Sequence, residues 1–419
     1  MTAERKEGKV NPGLGRLRED GPFIRFWLAH TVTVTGTTVS YVVLPILVFQ
    51  RTGSAAHTAA IVAIAATPYL LIGLVAGAVA DRSDRRRLMV GCELACAALV
   101  GSAPVAAAFD VLTLPHIYAV ALGSATAFVF FDAANFGALP ALVGQPRLVA
   151  AISTFEATDG VAHIAGPALG GLLATIIGPE QALAVDAASY LISGLLLLSV
   201  RRPLRGSAPV HRGASMRAEI GEGLRYLWQH PMIRALTMLG FGLSASLGAA
   251  VGLLIVYGVH QLGLESDDWR IGLLFSAGSA GALMASAAFP YVRRHVPVPW
   301  ISLTGFGLSW TCLGVMAAID HFETALVAYF GFLAACQLAV INGITYRQSA
   351  TPDELRGRVN VVARMIAWGG HPFGAAIGGA LASAFGVRTA LVVGSLGVGA
   401  SFVVGLFGPL RRIDATDAQ

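Results

Sequence analysis

GAVADRSDRRR, Gly77 to Arg87, closes one long apolar run and opens the next. An arginine cluster at a junction between two segments that can each cross a bilayer holds that junction on the cytoplasmic side. The chain is therefore polytopic. A helix needs about 20 apolar residues to cross the hydrocarbon layer. Runs of that length stand at 24–49, 55–80, 87–109, 114–138, 151–176, 180–200, 233–260, 270–292, 299–319, 324–345, 360–384 and 387–409. Composition agrees: of 419 residues, 55% are hydrophobic and only 13% charged, far from the usage of a soluble domain. The expected fold is an all-α integral membrane protein with twelve transmembrane helices in two pseudo-symmetric six-helix halves.

Charge placement tests that count independently. With both termini in the cytoplasm, all 29 Lys and Arg except Arg51, Arg270 and Arg388 fall on the cytoplasmic side or in adjoining helix turns. A missed span would scramble this bias. The pI near 9.2 thus reflects topology and calls for no nucleic-acid partner. Residues 1–22 read as a cytoplasmic tail, 23–200 and 233–410 as the halves, 201–232 as a cytoplasmic linker, and 411–419 as a second tail. In the linker Ile220, Leu224, Leu227 and Trp228 recur at helical spacing, the mark of an amphipathic helix at the membrane surface. Cys92, Cys96, Cys312 and Cys336 all lie within spans, where thiols act as small apolar groups, so neither a disulfide framework nor a metal site is expected.

An internal repeat links the halves. GPALGGLLATIIGPEQAL (Gly166 to Leu183) matches GAAIGGALASAFGVRTAL (Gly374 to Leu391) at an offset of 208, which also sets His163 on His371 and Glu156 on Arg364. Repeated six-span halves are how many secondary transporters are built, with the substrate site at the repeat interface.

On these residues the chain resembles the major facilitator superfamily, in its branch of drug and siderophore exporters that includes macrolide-efflux and enterobactin-exporter-like proteins. The first loop is similar to the family pattern GxxxDRxGRR, with Asp84 in place of a glycine. GPALGG at Gly166 resembles part of the fifth-span antiporter motif, and TPDELRGRV (Thr351 to Val359) resembles the loop after span ten. The resemblance implies that Gly77, Asp81, Arg82, Arg85 and Arg86 form a cytoplasmic latch. Asp81 would face the start of span eleven, with Arg358 or Arg364 as its partner. It also implies that Gly166, Pro167, Gly170 and Gly171 let span five bend and pack closely, limiting leakage. Two family features are missing: span four holds no Arg, and span one has Thr31, Thr33, Thr35, Thr37, Thr38 and Ser40 but no carboxylate.

Ionisable residues inside spans are costly, at least about 2.5–3.5 kcal/mol at the bilayer centre, so they mark function or buried partners. Glu156, Asp159 and His163 share one face of span five; Asp132 lies in span four, Asp186 in span six and Glu93 in span three. Proton coupling needs an intramembrane carboxylate that loads and releases a proton. Asp159 fits best, with His163 one turn on to share the proton and Glu156 nearer the cytoplasm to meet Arg364 or a loop arginine. Asp186 and Asp132 complete the set. Lone His30 and His371 read as packing residues. Thr35, Thr37, Gln337 and Asn342 can offer hydrogen bonds to a substrate, and Phe131 an aromatic wall.

No GxxxxGKS loop, HExxH, CxxC or GxSxG in a plausible setting occurs, so enzyme readings fare poorly and transport driven by the chain's own ATP hydrolysis is excluded. The expected function is secondary active export of a small amphipathic drug, antibiotic or siderophore from the bacterial inner membrane, by alternating access and proton antiport. The proton gradient replaces any cofactor, and the protein is expected to act as a monomer in the lipid bilayer. The competing readings are an importer or lipid transporter of the same superfamily, or a non-transporting sensor or assembly protein on its scaffold.

Overall fold

The computed structural model describes residues 17, 19–202, 204, 216–408 and 410, less the side chains of 74, 81, 145, 216–220, 353, 354, 356 and 357. Its helices, in chain order, are α1 Gly21–Thr52, α2 Ala55–Arg82, α3 Arg85–Ala108, α4 Leu114–Val143, α5 Gln145–Ile177, α6 Pro179–Ser199, α7 Met216–Gln229, α8 Pro231–His260, α9 Trp269–His295, α10 Val298–Ala318, α11 Phe322–Ala350, α12 Asp353–Phe385 and α13 Val387–Phe407. Local chemistry sets several boundaries. Asp84 caps α3 by accepting from Arg87 N at 3.2 Å, and Pro179 enters α6 in its first turn, where a missing N–H costs nothing. Gly178 and Gly386, at φ +86° and +83°, turn the chain between α5 and α6 and between α12 and α13.

The offset of 208 read from the sequence carries α5 onto α12 and α6 onto α13 end for end. Both halves are thus built on one plan. Eleven of the described helices are long and apolar enough to cross a membrane, and α12 is not among them. The expected span at 360–384 does lie within α12, but Arg364, His371, Pro372 and a run of glycines dilute its hydropathy. α12 packs on α8 on one flank and on α2 of the first half on another, while Phe373, Ile377 and Phe385 remain exposed. The amphipathic α7 docks on the second half. Leu227 is fully buried with Ile233, Val359 and Ala363, and Tyr226 donates its hydroxyl to Ala350 O at 2.8 Å, leaving Leu224 and Trp228 exposed.

The halves meet through α5 against α9 and α2 against α12 and α8. These contacts concentrate at the end of the bundle remote from the chain termini. There Gly171 lies against Gly272, Ala56 N donates to Ser383 Oγ at 3.0 Å, Thr175 Oγ1 donates to Asp267 O, and Phe49 packs edge-on to His260. At the terminal end, the ion pairs seen among the described residues lie within a half or between α7 and the half it docks on. Asp20 accepts from Arg147 at 2.8 Å and from Arg202 at 3.0 Å, while Arg358 donates to Glu222. Burial alone would push the Asp20 carboxyl up, but the two arginine hydrogen bonds outweigh it and hold it below its ordinary range. Among the described residues, the contacts between the halves thus gather at the far end.

Candidate functional site

Asp159 of α5 finds its partner on α1. His30 Nε2 lies 2.6 Å from Asp159 Oδ1, with side chains 10% and 34% exposed respectively. Phe155, one turn earlier on α5, covers the imidazole at 4.5 Å between ring centroids, and Trp27 Nε1 donates to Thr158 Oγ1 at 2.9 Å. The pair is shielded on one side and open on the other. His163, expected to share the proton of Asp159, instead turns its Nδ1 to the backbone oxygen of Asp159 at 2.8 Å and is exposed. A helical residue readily reaches the carbonyl one turn before it, whereas Asp159 is aimed across at α1.

Two further acids are buried between α1, α3 and α6. Glu93 is 1% exposed; its Oε1 accepts from Thr33 at 2.7 Å and from Ser193 at 2.9 Å, while Oε2 has no partner among the described residues. Asp186 is 0% exposed and accepts from Ser40 and, at 3.2 Å, from Ser189. Only neutral hydroxyls bond either carboxyl among the described residues. The span-one hydroxyls are thus largely committed. Thr33 and Ser40 serve the acids, Thr37 meets Tyr190 OH at 3.0 Å, and Thr35 bonds Thr31 O of its own helix at 2.8 Å.

Other expected site residues scatter. Asp132 is exposed and accepts from Tyr69 OH of α2 at 2.9 Å; Glu156 is exposed and unpaired among the described residues, not joined to Arg364. Asn342 is 0% exposed and spends its amide on Val298 O and Ser302 Oγ, both at 2.8 Å, which makes it a strut between α10 and α11. Gln337 reaches Ser286 Oγ at 3.1 Å, and Phe131 is buried in the first-half core against Phe128.

Two arginines of the loop motif reach backbone carbonyls of their own half. Arg85 donates to Gly137 O at 2.7 Å, Arg86 donates to Leu198 O, and Arg82 is exposed. Gly77 has open space about it, and the Asp81 side chain lies outside the described residues, as does any latch it makes to Arg358 or Arg364. The fifth-span glycines are packing surfaces. Gly166 sits on Thr38, Gly170 on the backbone of Val39, and Gly171 on Gly272 across the halves; Pro167 presents its carbonyl to Gly272.

In the second half a cavity opens between α8, α10, α11 and α12, with Leu243, Leu247, Phe306, Val340 and Trp368 on its walls and Arg347 and Arg364 at its terminal end. Sequence reasoning placed Arg364 in a latch and passed over Arg347. Glu93 and His30 were legible as polar groups inside spans, but their partners were not.

The model of a family described as transmembrane secretion effector matches residues 14–419. A multidrug efflux pump, Tap, of Mycolicibacterium fortuitum is 29% identical over 94% of this chain and 97% of its own length. An enterobactin exporter of Citrobacter koseri is 25% identical over 95% of each chain. Among solved structures, a nucleoside transporter superposes with a TM-score of 0.78 at 12% identity, covering 91% of this chain and 98% of its own.

Proposed function

We propose, on the premise that the chain belongs to the transmembrane secretion effector family of the major facilitator superfamily, that it exports a small amphipathic compound in exchange for protons. The observation that carries this reading is the His30–Asp159 pair, which ties α1 to α5 at 2.6 Å and stays partly open. A carboxyl paired with an imidazole is a two-site proton store. A proton arriving at Asp159 weakens the attraction that holds α1 to α5. α5 also meets the other half, which supports a mechanical link between protonation and the cleft's opening. With the contacts between halves gathered at the far end, the cargo-loading cleft of this exporter opens toward the cytoplasmic termini, and the positive-inside bias supports that orientation in the bacterial inner membrane. It is proposed to work as a monomer, with the cleft between the halves of one chain.

The buried pair Glu93 and Asp186 supports a second assignment of the proton. Both acids lie against α1 with hydroxyl partners alone, so α1 movement would change their surroundings. The test is substrate-triggered proton release from acid-loaded everted vesicles, using lipophilic cations, macrolides and siderophores. Release abolished by Asp159→Asn places coupling at the first pair. Release that survives there but is lost in Asp186→Asn places it at the buried acids. No release with any compound, with folded protein present, refutes proton-coupled export of these classes.

A further inference from the structure

We infer that the second-half cavity takes an amphiphile with an oxyanionic head, a carboxylate, phosphate or sulfate, carried on an apolar body. Arg347 is only 7% exposed. Its Nε and Nη2 donate to Asn360 Oδ1 at 3.1 and 3.0 Å, and its Nη1 makes no hydrogen bond among the described residues. Arg364, one helix away, is exposed and makes no hydrogen bond or ion pair among the described residues. Both guanidinium groups line the same cavity.

A buried cation served only by an amide oxygen, with a second cation on the same cavity, is costly unless an anion completes the site. Topology-setting arginines belong at helix ends in water and headgroups. That role does not require Arg347 to be buried against an apolar cavity. Guanidinium forks suit oxyanions, which they can grip with two parallel hydrogen bonds. Beyond the arginines the walls are apolar except for Ser244, whose hydroxyl is donated to Trp368 O. Along α11 the cavity extends from Arg347 to Cys336, about 16 Å at 1.5 Å per residue. The apolar body of such an amphiphile would lie between Leu247, Phe306 and Val340, with Trp368 on the turn after Arg364. The repeat sharpens the contrast: the position equivalent to Arg364 in the first half is Glu156, so the two walls of the cleft carry opposite charge at one register.

That the bound amphiphile is cargo rests on the export reading; the binding chemistry does not. The experiment is therefore an equilibrium one, needing no flux. The full chain, purified in an uncharged detergent, is titrated calorimetrically with 2-naphthylacetate and with (2-naphthylethyl)trimethylammonium, which share an apolar body and differ in charge. The carboxylate is expected to bind and the ammonium not to. Arg364→Gln should weaken the carboxylate at least about tenfold, with part of the affinity kept by Arg364→Lys. Arg364 is exposed, so these variants should fold; Arg347→Gln is added with its melting temperature as a control. Repeating the titration in nanodiscs distinguishes the source of the anion. Affinity equal in phosphatidylcholine and phosphatidylglycerol assigns the site to a free amphiphile. Affinity lost to phosphatidylglycerol assigns it to a lipid headgroup and overturns the cargo reading. Equal binding of both probes, or no effect of Arg364→Gln, overturns the inference. Proton-linked export that persists without carboxylate binding would sink this inference alone, and carboxylate binding without proton-linked export would sink the proposed function alone.

Discussion

Replacing Gly171 by alanine should shift the protein toward the conformation open at the far end. A Cβ built at Gly171 stands 3.0 Å from both N and Cα of Gly272 and 3.1 Å from Trp269 O, all backbone atoms of α9. Ordinary contact begins at about 3.4 Å, so α5 and α9 must separate by a few tenths of an ångström, and no side chain can swing aside to provide it. Overpacking of this kind costs about 1–3 kcal/mol. The clash exists only while the far end is closed, so the cost appears as a population shift of about 5- to 150-fold. Gly160→Ala is the control: its Cβ meets Leu283 Cδ1 at 3.1 Å, the tip of a flexible side chain. Spin labels on the exposed loop residues Thr113 and His321, one in each half at the far end, would report the separation after the four native cysteines are replaced. The Gly171→Ala distance distribution should move to longer values, with Gly160→Ala close to the parent. An unchanged distribution in folded Gly171→Ala, or an equal shift in both variants, would refute the account of the far-end seal.

Asp20→Asn should lower thermal stability at neutral pH by about 1–3 kcal/mol through weakened arginine hydrogen bonds. Because the folded-state carboxyl is held below its ordinary 3.8, this contribution is present above that value and fades as pH falls through the lower folded one. Melting temperatures of parent and variant should therefore converge in acid, and a constant gap down to strongly acidic pH would contradict the assignment. Asp186→Ala should lower stability by about 1–3 kcal/mol, since Ser40 loses its acceptor in a buried site, while Asp186→Asn retains an acceptor and stays near the parent in a melting experiment.

Helices and their repeat were legible because they are local. Apolar run length marks each span, and the offset of 208 taken from Gly166–Leu183 and Gly374–Leu391 also fixes the ends of α12 and α13. Hydropathy was least informative for α12, whose glycines and Arg364 serve close packing and the cleft. The site was legible by residue type and much less by partner. Spacing along α5 favours His163 for Asp159, yet the true partner, His30, lies 129 residues away and is chosen by how α1 crosses α5. Likewise Glu93 is bonded by Thr33 and Ser193, 60 and 100 residues distant, and nothing in their local pattern announces it. Arg347 resembles any basic residue ending a span until its burial is seen.

If Asp159 couples proton movement to transport, coupling and translocation separate when its carboxyl is removed. In everted vesicles, a transported compound should accumulate uphill when an inward-acid pH gradient is imposed, and should also exchange across the membrane with no gradient. Asp159→Asn is expected to retain the gradient-free exchange and lose the uphill accumulation, with His30→Gln impaired in the same sense. Accumulation driven by the pH gradient in Asp159→Asn at the parent's level would contradict the account.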